Sequence, residues 1–305
     1  MKYLITGGHG FLGRHLVQSL NNLKIDHRAT VRGLAGPNEF STSDLNVFTS
    51  WPQLFESVDV VIHTAAKAHD MSGAKELKEI YQNTNFNLTV KLAEEAKKYG
   101  VKKFIFLSTI KVNGELTTTK PFTAEDIPAP QDDYGKSKLQ AELALLQLQQ
   151  PGVFDIVIIR PCLIYGEGVK ANFSNLIKLV KRNLPLPFGL LKNKRSFVSV
   201  DNLIDFILVT AKNPAANGQI FLVSDGHDIT LTELITSLAT APEQKVILLP
   251  IPPWMMRLGL FLIGRSDLSQ RLFSSLQVDI EKSQKLLNWQ PRVPMAQSLQ
   301  KMLSV

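Results

Sequence analysis

Two rhythms of apolar and polar positions run through the first half of the chain. Short apolar runs at residues 2–6, 59–63 and 103–107 read as strands, as does the segment 27–32. Between them lie longer stretches whose apolar positions recur every three to four residues: one after Gly13 through Leu20, one over 74–99, and one over 134–148. Strands alternating with helices predict an α/β fold, a parallel sheet covered on both faces, with ligands at the carboxyl ends of its strands. After Tyr165 the alternation breaks. Helices are expected over 172–182 and 203–212, a strand over 220–223, then short helices punctuated by prolines at 250–253 and 291–294.

Composition narrows this only a little. The 305 residues suffice for one large domain or two modest ones, and the apolar fraction of 44% is ordinary for a globular protein. The net charge of +7 favours anionic ligands. The basic residues are scattered, with no helix-turn-helix, zinc-finger or RNA-binding pattern, so no nucleic-acid partner is expected, and no metal-binding residues are assigned. A single cysteine, Cys162, excludes an internal disulfide framework and suits a reducing, cytoplasmic compartment. The N-terminus reads as a strand, not a secretory signal. The most apolar stretch, 246–264, is broken by three prolines and Arg257, so no stable membrane insertion is expected. It reads as an amphipathic helix, buried or partly exposed, with loose membrane-surface association as the alternative.

Chemistry enters at Gly7-Gly8-His9-Gly10-Phe11-Leu12-Gly13, between the first strand and the first helix. Gly7 permits a tight turn, Gly10 lets a pyrophosphate approach the backbone, and Gly13 lets helix and strand pack closely. Strand, glycine loop and helix together indicate a dinucleotide. The second strand ends in Thr30-Val31-Arg32-Gly33, where an NAD enzyme usually carries a carboxylate for the ribose diol. A guanidinium there suits a 2′-phosphate, so NADP is favoured over NAD; the alternative is that Arg32 merely faces solvent. His63-Thr-Ala-Ala66 closes the next strand with small residues that leave room for a ligand, and His63 reads as a loop anchor, not an acid or base. Farther on, Tyr134 and Lys138 are four residues apart, on one face of a helix. An ammonium one turn away is expected to lower the phenol's pKa and make the pair a proton relay for a carbinol or carbonyl oxygen.

Thr6-Gly-Gly-His-Gly-Phe-Leu-Gly13, Asp44-Leu45, His63-Thr-Ala-Ala66, Asn85, Ser108-Thr109, Tyr134-x-x-x-Lys138 and Arg160-Pro-Cys-Leu-Ile-Tyr-Gly166 occur in this order. In these residues the chain resembles the extended short-chain dehydrogenase/reductase family, the nucleotide-sugar epimerases, dehydratases and reductases. The resemblance implies a Rossmann NAD(P)-binding domain over residues 1–165, to which 196–224 return, and a smaller C-terminal α+β nucleotide-sugar-binding region over 166–195 and 225–305. It implies Tyr134 as catalytic acid/base, Lys138 as its partner and nicotinamide-ribose ligand, and Thr109 as the hydroxyl that holds the same substrate oxygen. Gly7, Gly10, Phe11, Leu12, Gly13, Arg32, Asp44, Leu45, His63, Ala65, Ala66, Asn85, Ser108, Pro161 and Leu163 would line the dinucleotide. Asn172, Phe188, Arg195 and Arg271 would meet a UDP-sugar, although Asn172 serves equally well as a helix cap. Asp201 and Asn202 are expected to cap the helix over 203–212, and Trp289 to be a packing residue. Asn113 stands where the family usually has Tyr.

Activity is then expected at C4 of the sugar. The family's dehydratases place an acidic pair directly after the Thr; here Ile110-Lys111 follows, which disfavours dehydration. The residues 108–115, 128–132 and 168–173 are similar to those of bacterial polysaccharide enzymes acting on UDP-2-acetamido-2,6-dideoxy-4-hexulose. With Arg32, this favours an NADPH-dependent ketoreductase of a UDP-4-keto-6-deoxy-N-acetylhexosamine. The alternatives are a UDP-glucose or UDP-N-acetylglucosamine 4-epimerase, an isomerase with retained cofactor, and a non-catalytic dinucleotide-binding module. A homodimer through the helices at 83–99 and 134–148 is a further expectation of the resemblance.

Overall fold

A computed structural model describes residues 1–42, 48–67, 74–169, 172–240, 246–262, 264, 269 and 272–303. Asp44, Leu45 and Arg271 lie outside the described residues, as does the side chain of Asn172.

The first half alternates as the apolar pattern predicts. In order it forms β1 (Tyr3–Thr6), α1 (Phe11–Asn22), β2 (His27–Val31), β3 (Glu39–Ser41), α2 (Trp51–Phe55), β4 (Val60–His63), α3 (Ala74–Tyr81), α4 (Leu88–Lys98), β5 (Lys103–Leu107), α5 (Asp133–Leu148) and β6 (Asp155–Pro161). These strands, joined by β9 (Ile220–Val223), build one seven-stranded sheet in the order β3-β2-β1-β4-β5-β6-β9, with every pairing parallel. β4, β5 and β6 are buried at every position. Such strands are sandwiched between helices, hence their unbroken apolar runs. Residues of β1, β4, β5 and β6 alternate between two apolar clusters, one on each face: Ile5, Ile62, Ile105 and Val157 pack with α1 and α7 (Val200–Lys212), and Leu4, Val61, Phe104 and Ile156 with α4 and α5. The chain is thus a doubly wound α/β Rossmann fold.

A three-stranded sheet, β10-β8-β7, comprises β7 (Leu163–Tyr165), β8 (Lys194–Ser199) and β10 (Asp228–Thr230). With α6 (Asn172–Lys181) and α8 (Leu231–Thr240) it encloses a third apolar cluster around Tyr165, Phe197, Ile229 and Leu234. The helix α9 (Pro253–Leu262) and two closing helices, Glu281–Leu287 and Met295–Leu303, follow. Trp289 anchors this tail: its ring is 2% exposed, lies 4.8 Å from Phe206, and donates through Nε1 to Asp205 at 2.8 Å.

Two elements differ from the sequence reading. The helix expected over 74–99 is interrupted by a π-helical segment, Gln82–Asn87. The wider turn carries the fully buried Asn85, whose polar side chain needs hydrogen-bond partners. The helix expected to be capped by Asp201 and Asn202 starts at Val200 and is capped by Ser199, whose Oγ accepts from the Asn202 amide at 3.1 Å. Asp201 pairs instead with Lys301 at 3.1 Å, and Asn202 clamps the closing segment through Arg292 and Val293.

Candidate active site

The carboxyl ends of β1, β4, β5 and β6 lie side by side, and the candidate residues cluster there. Gly7 follows β1 with φ +76°, and a Cβ on it would sit 2.9 Å from the Cα of Ala65. A Cβ on Gly13 would lie 2.1 Å from the Gly7 carbonyl oxygen. Both contacts are closer than side-chain carbons approach, so only glycine fits this turn. Gly10 opens α1, and no side chain caps the helix. Phe11 and Leu12 begin it, Leu12 buried and Phe11 set edge-on to His15 at 5.4 Å. An uncapped helix start carries free N–H donors and the positive end of the helix dipole. This glycine cradle therefore fits the diphosphate of a dinucleotide.

The end of β2 is tied to the same turn, Gly8 donating to the Thr30 carbonyl at 3.1 Å and Gly7 to its hydroxyl at 3.3 Å. Arg32 beyond it is exposed and makes no hydrogen bond or ion pair among the described residues. A carboxylate does reach this rim, from a residue the sequence reading passed over. Glu39 opens β3, accepts from the Gly36 amide at 2.8 Å and meets His9 Nε2 at 2.9 Å. The Gly36 amide first, and His9 after it, hold the Glu39 carboxyl below the usual carboxylate range. A three-residue strand has too short a pattern to be seen in sequence.

His63 ends β4 and is 1% exposed. Its Nδ1 shares a hydrogen bond with Thr6 Oγ1 at 2.6 Å and its Nε2 with Thr89 Oγ1 at 2.8 Å. Burial, and then the charge of Lys138, push its pKa down to about 3, so it stays neutral and joins β1, β4 and α4. Ala65 and Ala66 follow it. Asn85 fixes the next residue, accepting from the Lys67 amide and donating to its carbonyl, both at 2.9 Å, and donates to Ser137 at 3.3 Å. Asn85 thus connects the loop after β4 to α5.

α5 is capped by Asp132, whose Oδ1 accepts from the Gly135 amide at 2.7 Å, and presents Tyr134 and Lys138 one turn apart. Lys138 is 1% exposed, with its ammonium nitrogen 4.0 Å from the centre of the Phe106 ring. Burial pushes its pKa down to about 7 against the opposing pull of Glu142. Tyr134 departs from the expectation of a lowered phenol. Burial raises it above its ordinary value, and Asp132 and Tyr81, whose ring is 5.8 Å away, add to the rise. The buried amine cannot outweigh desolvation of the phenolate.

Thr109 follows β5, half-buried and extended, its Oγ1 accepting from the Lys111 amide at 3.3 Å. Because Oγ1 serves there as acceptor, the hydroxyl proton remains for a ligand oxygen. The segment 109–111 packs on the start of α5: a Cβ on Gly135 would lie 3.0 Å from the Lys111 carbonyl. Ser108 faces the other way and donates its hydroxyl to Glu142. Here lies a network that sequence reasoning missed. Glu142, one turn beyond Lys138, is 1% exposed and receives Arg160 Nε at 3.0 Å and Nη2 at 2.6 Å. Arg160 Nη1 donates to Asn113 at 2.9 Å, and Asn113 donates to the Thr123 carbonyl at 2.8 Å. Asn113 therefore belongs to this core bracket between α5 and the loop after β5. Its available signal was the spacing, since Tyr134, Lys138 and Glu142 recur every four residues.

Pro161 ends β6, the buried Cys162 follows with its thiol pushed well up by burial, and Leu163, 42% exposed, starts β7. Asn172 begins α6. Phe188 is half-buried in the third cluster, its carbonyl accepting from Thr232 at 2.6 Å, and Arg195 on β8 donates from Nε to the Ser274 carbonyl at 3.3 Å. These positions belong to the smaller sheet and its helices.

A parallel sheet with a glycine turn at its first strand and a Tyr–Lys pair one turn apart on α5 defines a nicotinamide-dinucleotide enzyme of the short-chain dehydrogenase type. The profile of the NAD dependent epimerase/dehydratase family matches residues 3–224. The chain is 44% identical over 296 residues to a UDP-glucose 4-epimerase of Vibrio cholerae, covering 94% of this chain and 90% of that protein. It is 27% identical to an N-acetyl-alpha-D-glucosaminyl-diphospho-ditrans,octacis-undecaprenol 4-epimerase of Escherichia coli O157:H7, over 84% of this chain and 77% of the other. The fold superposes on UDP-glucuronic acid 4-epimerase from Bacillus cereus, solved in complex with NAD, with a TM-score of 0.79 at 22% identity, over 100% and 96% of the two chains. The chain belongs to the NAD-dependent epimerase/dehydratase family, and it is a nucleotide-sugar enzyme.

Proposed function

We propose that the chain is a UDP-hexose 4-epimerase, acting on UDP-glucose or UDP-N-acetylglucosamine. The observation that carries this reading is the 44% identity, over nearly the whole chain, to a UDP-glucose 4-epimerase. It replaces ketoreduction as the leading reading. Dehydration is disfavoured by the residues after Thr109: Ile110 is buried, and Lys111 pairs with Asp132 and, at 3.4 Å, with Glu115.

In this proposal the nicotinamide supplies the redox chemistry, exchanging a hydride with C4. The protein binds, orients and moves the proton. Thr109 donates its hydroxyl to the C4 oxygen and sets it against Tyr134. Tyr134 takes the carbinol proton as C4 is oxidised and returns it as the alkoxide forms again. The raised pKa keeps the Tyr134 phenol protonated when a ligand is absent, so forming the phenolate that takes the carbinol proton depends on nearby positive charge. Lys138, near pKa 7, supplies that charge in its ammonium form. Glycines 7, 10 and 13 and the start of α1 hold the diphosphate. A homodimer through α4 and α5 belongs to the same proposal, supported by Leu143 exposed on α5 and Tyr99 exposed at the end of α4.

Exposed Arg32 favours a second reading, an NADPH-dependent reductase of a UDP-4-keto-6-deoxy-N-acetylhexosamine. Purified protein assayed with both substrates distinguishes the two. Epimerisation of UDP-glucose or UDP-N-acetylglucosamine without net cofactor turnover supports the first reading, with Tyr134→Phe binding cofactor normally and losing turnover. NADPH consumption with the 4-keto sugar, and no epimerisation, overturns it.

A further inference from the structure

Helix α9 wears its apolar stripe outward. Trp254, Met255, Leu258, Phe261 and Leu262 fall at i, i+1, i+4, i+7 and i+8, one face of a 3.6-residue helix. All five are exposed, from 46% at Met255 to 75% at Leu262, and no residue of the helix is buried. The apolar surface continues on the extended segments that lead into it. Leu186 donates to the Ile247 carbonyl at 2.9 Å and Leu249 to the Leu186 carbonyl at 2.8 Å, and Leu184, Leu190, Ile247 and Leu249 are exposed as well. Scattered exposed leucines need no explanation, but nine apolar side chains gathered on joined segments do.

Charge identifies the occupant. Residues 168–200 contain seven basic side chains and no acidic one, and residues 246–264 add Arg257, again with no acid. Lys178, Lys181, Arg182, Lys192 and Arg257 are exposed. Apolar side chains beside such a local excess of cations match acidic headgroups above an acyl layer. A ten-residue helix is about 15 Å long, half the thickness of a hydrocarbon core, so it lies along the surface. Among the described residues no helix is long and apolar enough to cross a membrane.

We propose that α9 and the segments at 184–190 and 247–249 seat the protein on the surface of an acidic phospholipid bilayer, with Trp254, Leu258 and Phe261 entering the headgroup–acyl boundary. Phe188 lies in one of these segments, so docking holds the candidate nucleotide-sugar region at the membrane surface. The inference does not depend on which sugar reaction the site performs.

The test adds purified full-length protein to vesicles of phosphatidylcholine, with or without phosphatidylglycerol. Trp51 and Trp289 are 6% and 2% exposed while Trp254 is 66% exposed, so a change in tryptophan emission on binding reports Trp254. Flotation with the acidic vesicles, a blue shift, weaker binding at high salt, and a loss of about tenfold or more in Leu258→Glu/Phe261→Glu are the expected results. Both substitutions are on exposed positions, and an unchanged circular dichroism spectrum verifies that the variant is folded. Absence of binding to both vesicle types overturns the proposal. So does a concentration-dependent dimer that the same substitutions dissolve, because it assigns the face to a second copy.

Discussion

Replacing Glu142 with Gln tests whether the buried network governs the amine above it. The carboxylate receives two nitrogens of Arg160 and the Ser108 hydroxyl in a region almost closed to water. Gln keeps the shape and leaves the guanidinium buried without a counter-charge. Breaking a buried pair in this way costs about 3–5 kcal/mol, a large part of the total stability of a domain. The second effect is electrostatic. Residues one turn apart on a helix are separated by about 6 Å, and at an effective dielectric of about 20 a unit charge there contributes about 2.8 kcal/mol, or about 2 pH units. Glu142 raises the pKa of Lys138, which stands at about 7, so its removal lowers it further. Activity that needs the ammonium is lost as pH rises through that value, and the alkaline limb of kcat/KM, which reports the free enzyme, moves to lower pH by up to about 2 units. Urea unfolding and a pH–rate profile measure the two effects. Glu142→Leu/Arg160→Met, which removes both charges, recovers much of the stability but leaves the limb displaced. An unchanged unfolding midpoint in Glu142→Gln, with the limb where it was, would refute the reasoning.

The remaining predictions use other parts of the site. Gly13→Ala places a carbon 2.1 Å from the Gly7 carbonyl oxygen and is expected to abolish dinucleotide binding or soluble expression, read by titration calorimetry on any folded protein. His63 has a folded pKa of about 3 against an ordinary 6.5, so the unfolded chain takes up the proton first as pH falls. Its contribution is complete above pH 6.5 and is lost progressively toward pH 3; about 2 kcal/mol goes by pH 5. Urea midpoints at pH 7.5 and 5 should therefore converge in His63→Gln relative to the parent protein. At the rim of β2, Arg32 and Glu39 oppose each other: Arg32→Ala should lower the affinity for NADP relative to NAD, and Glu39→Gln should raise it, both read as dissociation constants by fluorescence titration.

The central strands were legible because each is buried on both faces and so carries an unbroken apolar run, as in Val60–His63 and Lys103–Leu107. The glycine turn was legible for a different reason: Gly7 and Gly13 have no room for a Cβ, and only one residue type answers that. What stayed hidden depends on partners distant in the chain. Asn85 bonds Lys67 and Ser137 across the fold, and Glu39 meets His9 because β3 brings it there. The spacing of Tyr134 and Lys138 was visible, but the direction of the phenol's shift depends on burial and on Asp132 and Tyr81, which no spacing contains. The same limit explains α9. Periodicity marks which face of a helix is apolar, and by habit that face is assigned to a core. Whether a core is there to meet it is a property of the folded surface, and among the described residues Trp254, Leu258 and Phe261 stand exposed.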